Sequence, residues 1–185
     1  MTRILAISGS LRADSWNTTL LRAAGELLPS GSELVLHEGL KAIPPFDEDD
    51  EHDPHGTVHA LREAIADADA VLIATPEYNH SIPGQLKNAL DWVSRPMATN
   101  PLRDKPVAVI GSSTGLFGAV WAQAEVRRVL AAIGARPLDR ELPVGEAFEH
   151  FDDDGRLVTP ELREELAVTL LELVDATRIV LPLAA

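Results

Sequence analysis

The chain contains no cysteine. Disulfides, thiolate nucleophiles and cysteine-ligated zinc or iron–sulfur centres are therefore excluded. Aromatics are scarce: one Tyr, three Trp and four Phe in 185 residues. No apolar run approaches the ~18 residues that a membrane span requires. The short apolar stretch ahead of Ser10 suits a buried strand better than a signal peptide. Basic residues are outnumbered, 16 against 29 acidic, for a net charge of −13. Nucleic acid and anionic membranes are bound through basic patches, so neither is expected as a partner. What remains is 45% hydrophobic, the composition of a globular protein. The expectation is a single cytoplasmic domain over residues 1–185.

Apolar runs alternate with amphipathic stretches along the chain. Residues 3–8, 70–75 and 107–111 are almost continuously apolar, as parallel strands covered on both faces are. Residues 33–37 and 136–142 complete five expected strands. Helices are expected over 18–28, 58–67, 84–94, 119–133 and 160–177. The first carries Leu20, Leu21, Ala24, Leu27 and Leu28 as its stripe; the last carries Leu162, Leu166, Leu170, Leu173 and Val174. Such alternation predicts an α/β fold: an open five-stranded parallel sheet, order 2-1-3-4-5, with helices on both faces.

Segment 38–57 holds Pro44-Pro45, the acidic run Asp47 to Glu51, and His52 and His55, with His59 close behind. It reads as a solvated acidic loop; a metal site is the alternative, although the spacing matches no ligand template. Its length makes it a candidate rim for an active site. Segment 144–160 is irregular and acidic.

The most distinctive stretch follows the first strand: Gly9-Ser10-Leu11-Arg12-Ala13-Asp14-Ser15-Trp16-Asn17. A strand-to-helix turn offers free N–H groups and the positive end of a helix dipole, a ready anion site. Ser10, Ser15 and Asn17 add neutral hydrogen-bond groups and Arg12 a forked cation. Neither the P-loop pattern nor G-x-G-x-x-G is present. Read alone, the turn is either a phosphate site or an ordinary cap.

Two further loops are unusual: Pro76 to Gly84 after the third strand, and Ser112 to Gly118 after the fourth. In a 2-1-3-4-5 sheet all three leave the carboxyl ends of adjacent strands and meet at the switch point, where ligands bind. The first suits a phosphate monoester. The second offers a flat wall of Pro76 and Tyr78, and the third a glycine-rich backbone that can approach a planar ring. Phosphate at one end and a ring at the other describe FMN.

Gly9-Ser10-Leu11-Arg12-x-x-Ser15-x-Asn17, together with Pro76-Glu77-Tyr78-Asn79-His80-Ser81-Ile82-Pro83-Gly84-Gln85-Leu86-Lys87-Asn88-Ala89-Leu90-Asp91-Trp92, resembles the two signatures of the NADPH-dependent FMN reductase family. The likeness runs from Arg3 to Thr177. It implies a flavodoxin-like three-layer sandwich and hydride transfer from NADPH or NADH, through bound FMN, to a small acceptor such as a quinone, flavin, chromate or azo compound. The cofactor carries that chemistry, so no catalytic side chain is expected. Ser10, Arg12, Ser15 and Asn17, with Trp16 in the same turn, are expected around the FMN phosphate. Pro76, Glu77, Tyr78 and Asn79 would line the ring, with Ser113, Thr114 and Gly115 opposite. His80 stands where many family members have an aromatic residue.

The resemblance also implies a homodimer or homotetramer, with the helices after Gly84 and Gly118 at the interface. Trp92, Val93 and Trp121 are either anchors there or core. Two other readings are a flavodoxin-type electron carrier without an NADPH site and a non-flavin binding domain. A phosphoacceptor receiver is disfavoured by Ser8-Gly9, where an acidic pair would stand. A dinucleotide approaching an acidic surface should gain from salt or ignore it; a steep fall would indicate a basic docking patch drawn from Arg12, Lys87, Arg95, Arg103 and Lys105.

Overall fold

The computed structural model describes residues 1–178; residues 179–185, the tail of the expected domain, lie outside the described residues. Six strands, β1 (Thr2–Ser8), β2 (Ser32–Leu36), β3 (Ala70–Thr75), β4 (Pro106–Ser112), β5 (Arg136–Pro137) and β6 (Pro143–Val144), form one sheet. Its order is β2-β1-β3-β4-β5, with β6 also on β4, and every pairing is parallel. Five helices pack on it: α1 (Trp16–Glu26), α2 (Gly56–Ala66), α3 (Gly84–Val93), α4 (Val120–Ala132) and α5 (Pro160–Ala176). No helix among the described residues is long and apolar enough to cross a membrane.

Side-chain alternation along β1 builds two cores, because successive residues of a strand face opposite sides. Ile4 and Ala6 pack with Leu20 and Leu21 of α1 and Leu170 and Leu173 of α5. Leu5 and Ile7 pack with Val58 of α2, Leu86 of α3 and Val126 of α4. The result is the expected three-layer sandwich.

The expected fifth strand is two fragments. β5 pairs with the start of β4 and β6 with its end. Between them the edge is held by a side chain. Gln123 of α4 is fully buried; its Oε1 accepts from the Leu142 N–H (3.0 Å) and its Nε2 donates to the Gly118 carbonyl (3.0 Å). Pro137 and Pro143 have no N–H to give a ladder, which favours such an edge.

Segment 38–57 does not rim the crevice described below. It is strapped across α3. Gln85 Nε2 donates to the carbonyls of Leu40 and Ile43. Asn88 donates to the Pro44 carbonyl and accepts from the Phe46 N–H, and Trp92 Nε1 donates to the Pro44 carbonyl at 2.8 Å. The polar positions of the long motif after Gly84 thus hold a loop down. The acidic run answers Arg95, which pairs with Glu48 and Glu51, and His55 caps α2 by accepting from the Thr57 N–H. Trp92 and Val93 are 2% and 1% exposed. They belong to the protomer's own core and are not interface anchors. Trp121 is 44% exposed.

Candidate active site

Helix α1 starts at Trp16, two residues earlier than the pattern suggests, because Ser15 is its cap and its Oγ accepts from the Asn17 N–H at 3.2 Å. The turn ahead of it is braced internally. Thr18 Oγ1 donates to Ser8 Oγ (2.9 Å) and Arg12 Nη2 to the Asp14 carbonyl (2.7 Å). Asn17 is only 3% exposed. Its amide reaches across to β4, donating to the Ser112 carbonyl (2.9 Å) and accepting from the Ser112 N–H (3.0 Å). Asn17 therefore places the turn against the end of β4, with its side-chain amide already spent.

The loop after β3 contains a two-residue hairpin turn. Tyr78 and Ser81 exchange both backbone hydrogen bonds at 3.1 Å. Asn79 and His80 between them have φ of 54° and 59°, the left-handed pair that a type I′ turn demands and that Asn and His tolerate better than most residues. Asn79 forms the turn, and His80 lies edge-on to Trp121 with ring centroids 5.1 Å apart. Glu77 is not a free surface carboxylate. Its side chain is 14% exposed, and Oε2 accepts from the Ala122 N–H in the first turn of α4 at 3.1 Å. Helix α4 has Ala119 in its cap position and no cap of its own, so Glu77 supplies the missing acceptor and a charge that suits the helix dipole.

The loop after β4 lies over β6. The Ser113 N–H donates to the Val144 carbonyl, the Ala147 N–H to the Ser113 carbonyl and the Glu146 N–H to the Gly115 carbonyl, each at 3.0 Å. The approach is so close that a Cβ on Gly145 would run into the Leu116 carbonyl, and one on Gly118 into Pro143.

These three loops enclose one crevice of about 510 Å³, lined by Ser10, Arg12, Ser15, Trp16, Asn17, Pro76, Glu77, Tyr78, Ser112, Ser113 and Thr114. Every expected site residue except Asn79 and Gly115 is on that lining. Ser112, which the sequence places at the start of the third loop but not among the cofactor-binding residues, is on it too. It is 1% exposed, and its buried Oγ has no partner among the described residues. An orphaned buried hydroxyl is costly. The lining thus joins a cation, hydroxyls and a helix N-terminus to a flat Pro76–Tyr78 wall. The donor set fits the phosphate and ring of FMN.

The comparisons agree. The family model "NADPH-dependent FMN reductase" matches residues 2–149, which include the whole crevice. A NAD(P)H-dependent FMN reductase of Pseudomonas aeruginosa is 42% identical over 172 residues, covering 88% of each chain. A 2-hydroxy-1,4-benzoquinone reductase of a Burkholderia species is 37% identical over 165 residues, covering 89% of this chain and 90% of the other. Among solved structures, the flavoenzyme NAD(P)H:acceptor oxidoreductase FerB of Paracoccus denitrificans superposes with a TM-score of 0.85 at 32% identity, covering 96% of this chain and 98% of that one. From fold, crevice and likeness together, this chain belongs to the NADPH-dependent FMN reductase family and is a flavoenzyme of FMN and NAD(P)H.

Proposed function

We propose that the protein reduces small acceptors of the quinone class at this crevice, with the FMN phosphate at the Ser10–Asn17 turn and its ring between the Pro76–Tyr78 wall and Ser113–Thr114. When bound, FMN supplies the hydride chemistry, from NAD(P)H onward to the acceptor. The chain's own residues bind and orient. Arg12 and the hydroxyls of Ser10 and Ser15 hold the anionic end, aided by the first-turn N–H groups of α1. Asn17 and Glu77 act as positioning residues, fixing α1 to β4 and the β3 loop to α4. Asn79 and Gly115 shape their loops from outside the lining. Tyr78 is 54% exposed, which leaves one side of the site open to a reductant and then to an acceptor. The quinone assignment draws on the benzoquinone reductase likeness.

The observation that carries this reading is the convergence of three loops on one crevice. Its test is Arg12→Ala. Losing a hydrogen bond to a charged group costs about 1.5–3 kcal/mol, so FMN affinity should fall about ten- to a hundredfold. Unchanged FMN retention would remove the phosphate from this turn. In the unaltered enzyme, anaerobic NADPH should bleach the flavin spectrum and a benzoquinone should restore it; a flavin that stays oxidised would favour an electron carrier.

A homodimer in the cytoplasm, where NAD(P)H is held, completes the proposal. Its support is an exposed apolar patch where the loop after β4 enters α4: Leu116 is 69%, Phe117 59% and Trp121 44% exposed, and Phe117 lies edge-on to Trp121 with centroids 5.0 Å apart. A patch of this kind marks an interaction surface. Trp121→Asp should shift the sedimenting species from dimer to monomer. An unshifted dimer would place the interface elsewhere.

A further inference from the structure

A second pocket adjoins the crevice, and the flavin does not account for its chemistry. It has a volume of about 580 Å³ and lies between the β1–α1 turn and the chain following β2. Ser10 lines both spaces. A groove of about 500 Å³ links them: it shares Arg12 and Tyr78 with the crevice and Leu11 with the second pocket. The three spaces therefore lie side by side along the β1–α1 turn.

Two cations line the pocket, Arg22 from α1 and Lys41 from the turn after β2. Among the described residues neither takes part in an ion pair. In a chain with a net charge of −13, carboxylates are plentiful, so two unneutralised cations around one pocket are what an anionic ligand needs. The hydroxyls of Ser8 and Thr18 also belong to the lining, but their protons are spent within the protein, Thr18 donating to Ser8 Oγ and Ser8 to the Ser10 carbonyl. His37, at the end of β2, has a buried Nε2 with no partner among the described residues. One carboxylate, Glu38, faces the same space. Arginine and lysine together match a phosphate monoester, and a lone carboxylate beside them can accept from a sugar hydroxyl. The location fits too: in open α/β sheets ligands lie outside the carboxyl ends of the strands.

We propose that this pocket takes the 2′-phosphate of NADPH, the adenosine half of the dinucleotide lying along the Leu11–Arg12 groove. Arg22 and Lys41 are then the residues that favour NADPH over NADH, with Glu38 on a ribose hydroxyl. The inference rests on the reading that the crevice holds FMN, since the groove leads there.

The test uses the flavin-loaded enzyme and the fragment 2′,5′-ADP, with 5′-ADP as control; neither fragment carries a nicotinamide, so binding is read apart from turnover. Calorimetry should show the unaltered enzyme binding 2′,5′-ADP about tenfold more tightly than 5′-ADP. Arg22→Ala/Lys41→Ala should abolish that preference, lower kcat/KM for NADPH about tenfold and leave NADH and flavin content unchanged. Equal binding of the two fragments by the unaltered enzyme, or a parallel loss with NADPH and NADH in the double variant, would overturn the proposal. A colourless protein that still prefers 2′,5′-ADP would overturn the flavin reading and leave the pocket standing.

Discussion

Ser112 ends β4 with a buried hydroxyl that the protein itself leaves unpaired. Two residues of one site then predict opposite behaviour. Ser112→Ala removes an orphan sealed from the crevice, so the apoprotein should keep or slightly raise its Tm and FMN affinity should hold. Asn17→Ala creates orphans. The Ser112 N–H and carbonyl lose both partners, and each unsatisfied buried group costs about 1–3 kcal/mol. A loss of about 2–4 kcal/mol in urea unfolding is expected, with or without FMN. The pair is checked by thermal and urea unfolding of apoprotein and by flavin titration. An Asn17→Ala variant of normal stability that had simply lost FMN would return Asn17 to the phosphate, the role its place in the motif implies. Sequence could not separate these roles, because the partner of Asn17 lies 95 residues away.

Elements at this site are joined chiefly through α4, which relies on the β3 loop for its cap. Beyond Glu77, Ser81 Oγ donates to Glu125 Oε2 at 2.7 Å. That hydrogen bond, more than the nearby Arg128, holds the Glu125 carboxyl below its usual range. A carboxyl whose folded pKa is depressed contributes stability above its unfolded value and loses it as pH falls through the folded value. The stability difference between the unaltered protein and Ser81→Ala should therefore be full near neutrality and shrink as acid protonates Glu125. Unfolding at a series of pH values from neutral into the acid range checks this; a difference that ignores pH would mean the hydroxyl acts without the charge. The element-scale readings that succeeded rested on local pattern. The apolar strands and the stripes of α1 and α5 are periodic, and periodicity is visible along the chain. Those that failed depended on distant partners. Residues 136–142 look like one strand until Gln123 of α4 intercepts the Leu142 N–H. Residues 38–57 look like a rim of the crevice until Gln85, Asn88 and Trp92 of α3 claim the carbonyls of Leu40, Ile43 and Pro44, while Asp47 to Asp50 of the acidic run stay exposed as expected.

At the scale of the whole molecule, charge is unevenly spent. Most of the cations that sequence offers as a docking patch are occupied. Lys87 pairs with Asp91 and Arg95 with Glu48 and Glu51. Arg103 donates to the Met97 carbonyl and Lys105 to the Ala66 and Ala68 carbonyls. Only Arg12 of that set lines the crevice. Arg22 and Lys41, which no motif marks, are the ones that share a pocket, because β2 and α1 are neighbours only after folding. Two opposing terms then act on an arriving dinucleotide. The net −13 repels NADPH and NADH alike, and salt screens that repulsion. The two pocket cations attract the extra phosphate of NADPH alone, and salt screens that attraction as well. Absolute kcat/KM against ionic strength mixes both, but the NADPH-to-NADH ratio of kcat/KM cancels most of the shared repulsion. The ratio should fall as salt rises from low to physiological ionic strength, while kcat/KM for NADH rises or stays flat. In Arg22→Ala/Lys41→Ala the ratio should be nearly independent of salt. A ratio as flat in the unaltered enzyme would mean that the extra phosphate is read by uncharged groups, and a steep fall with NADH as well would mean that Arg12 governs the docking of both dinucleotides.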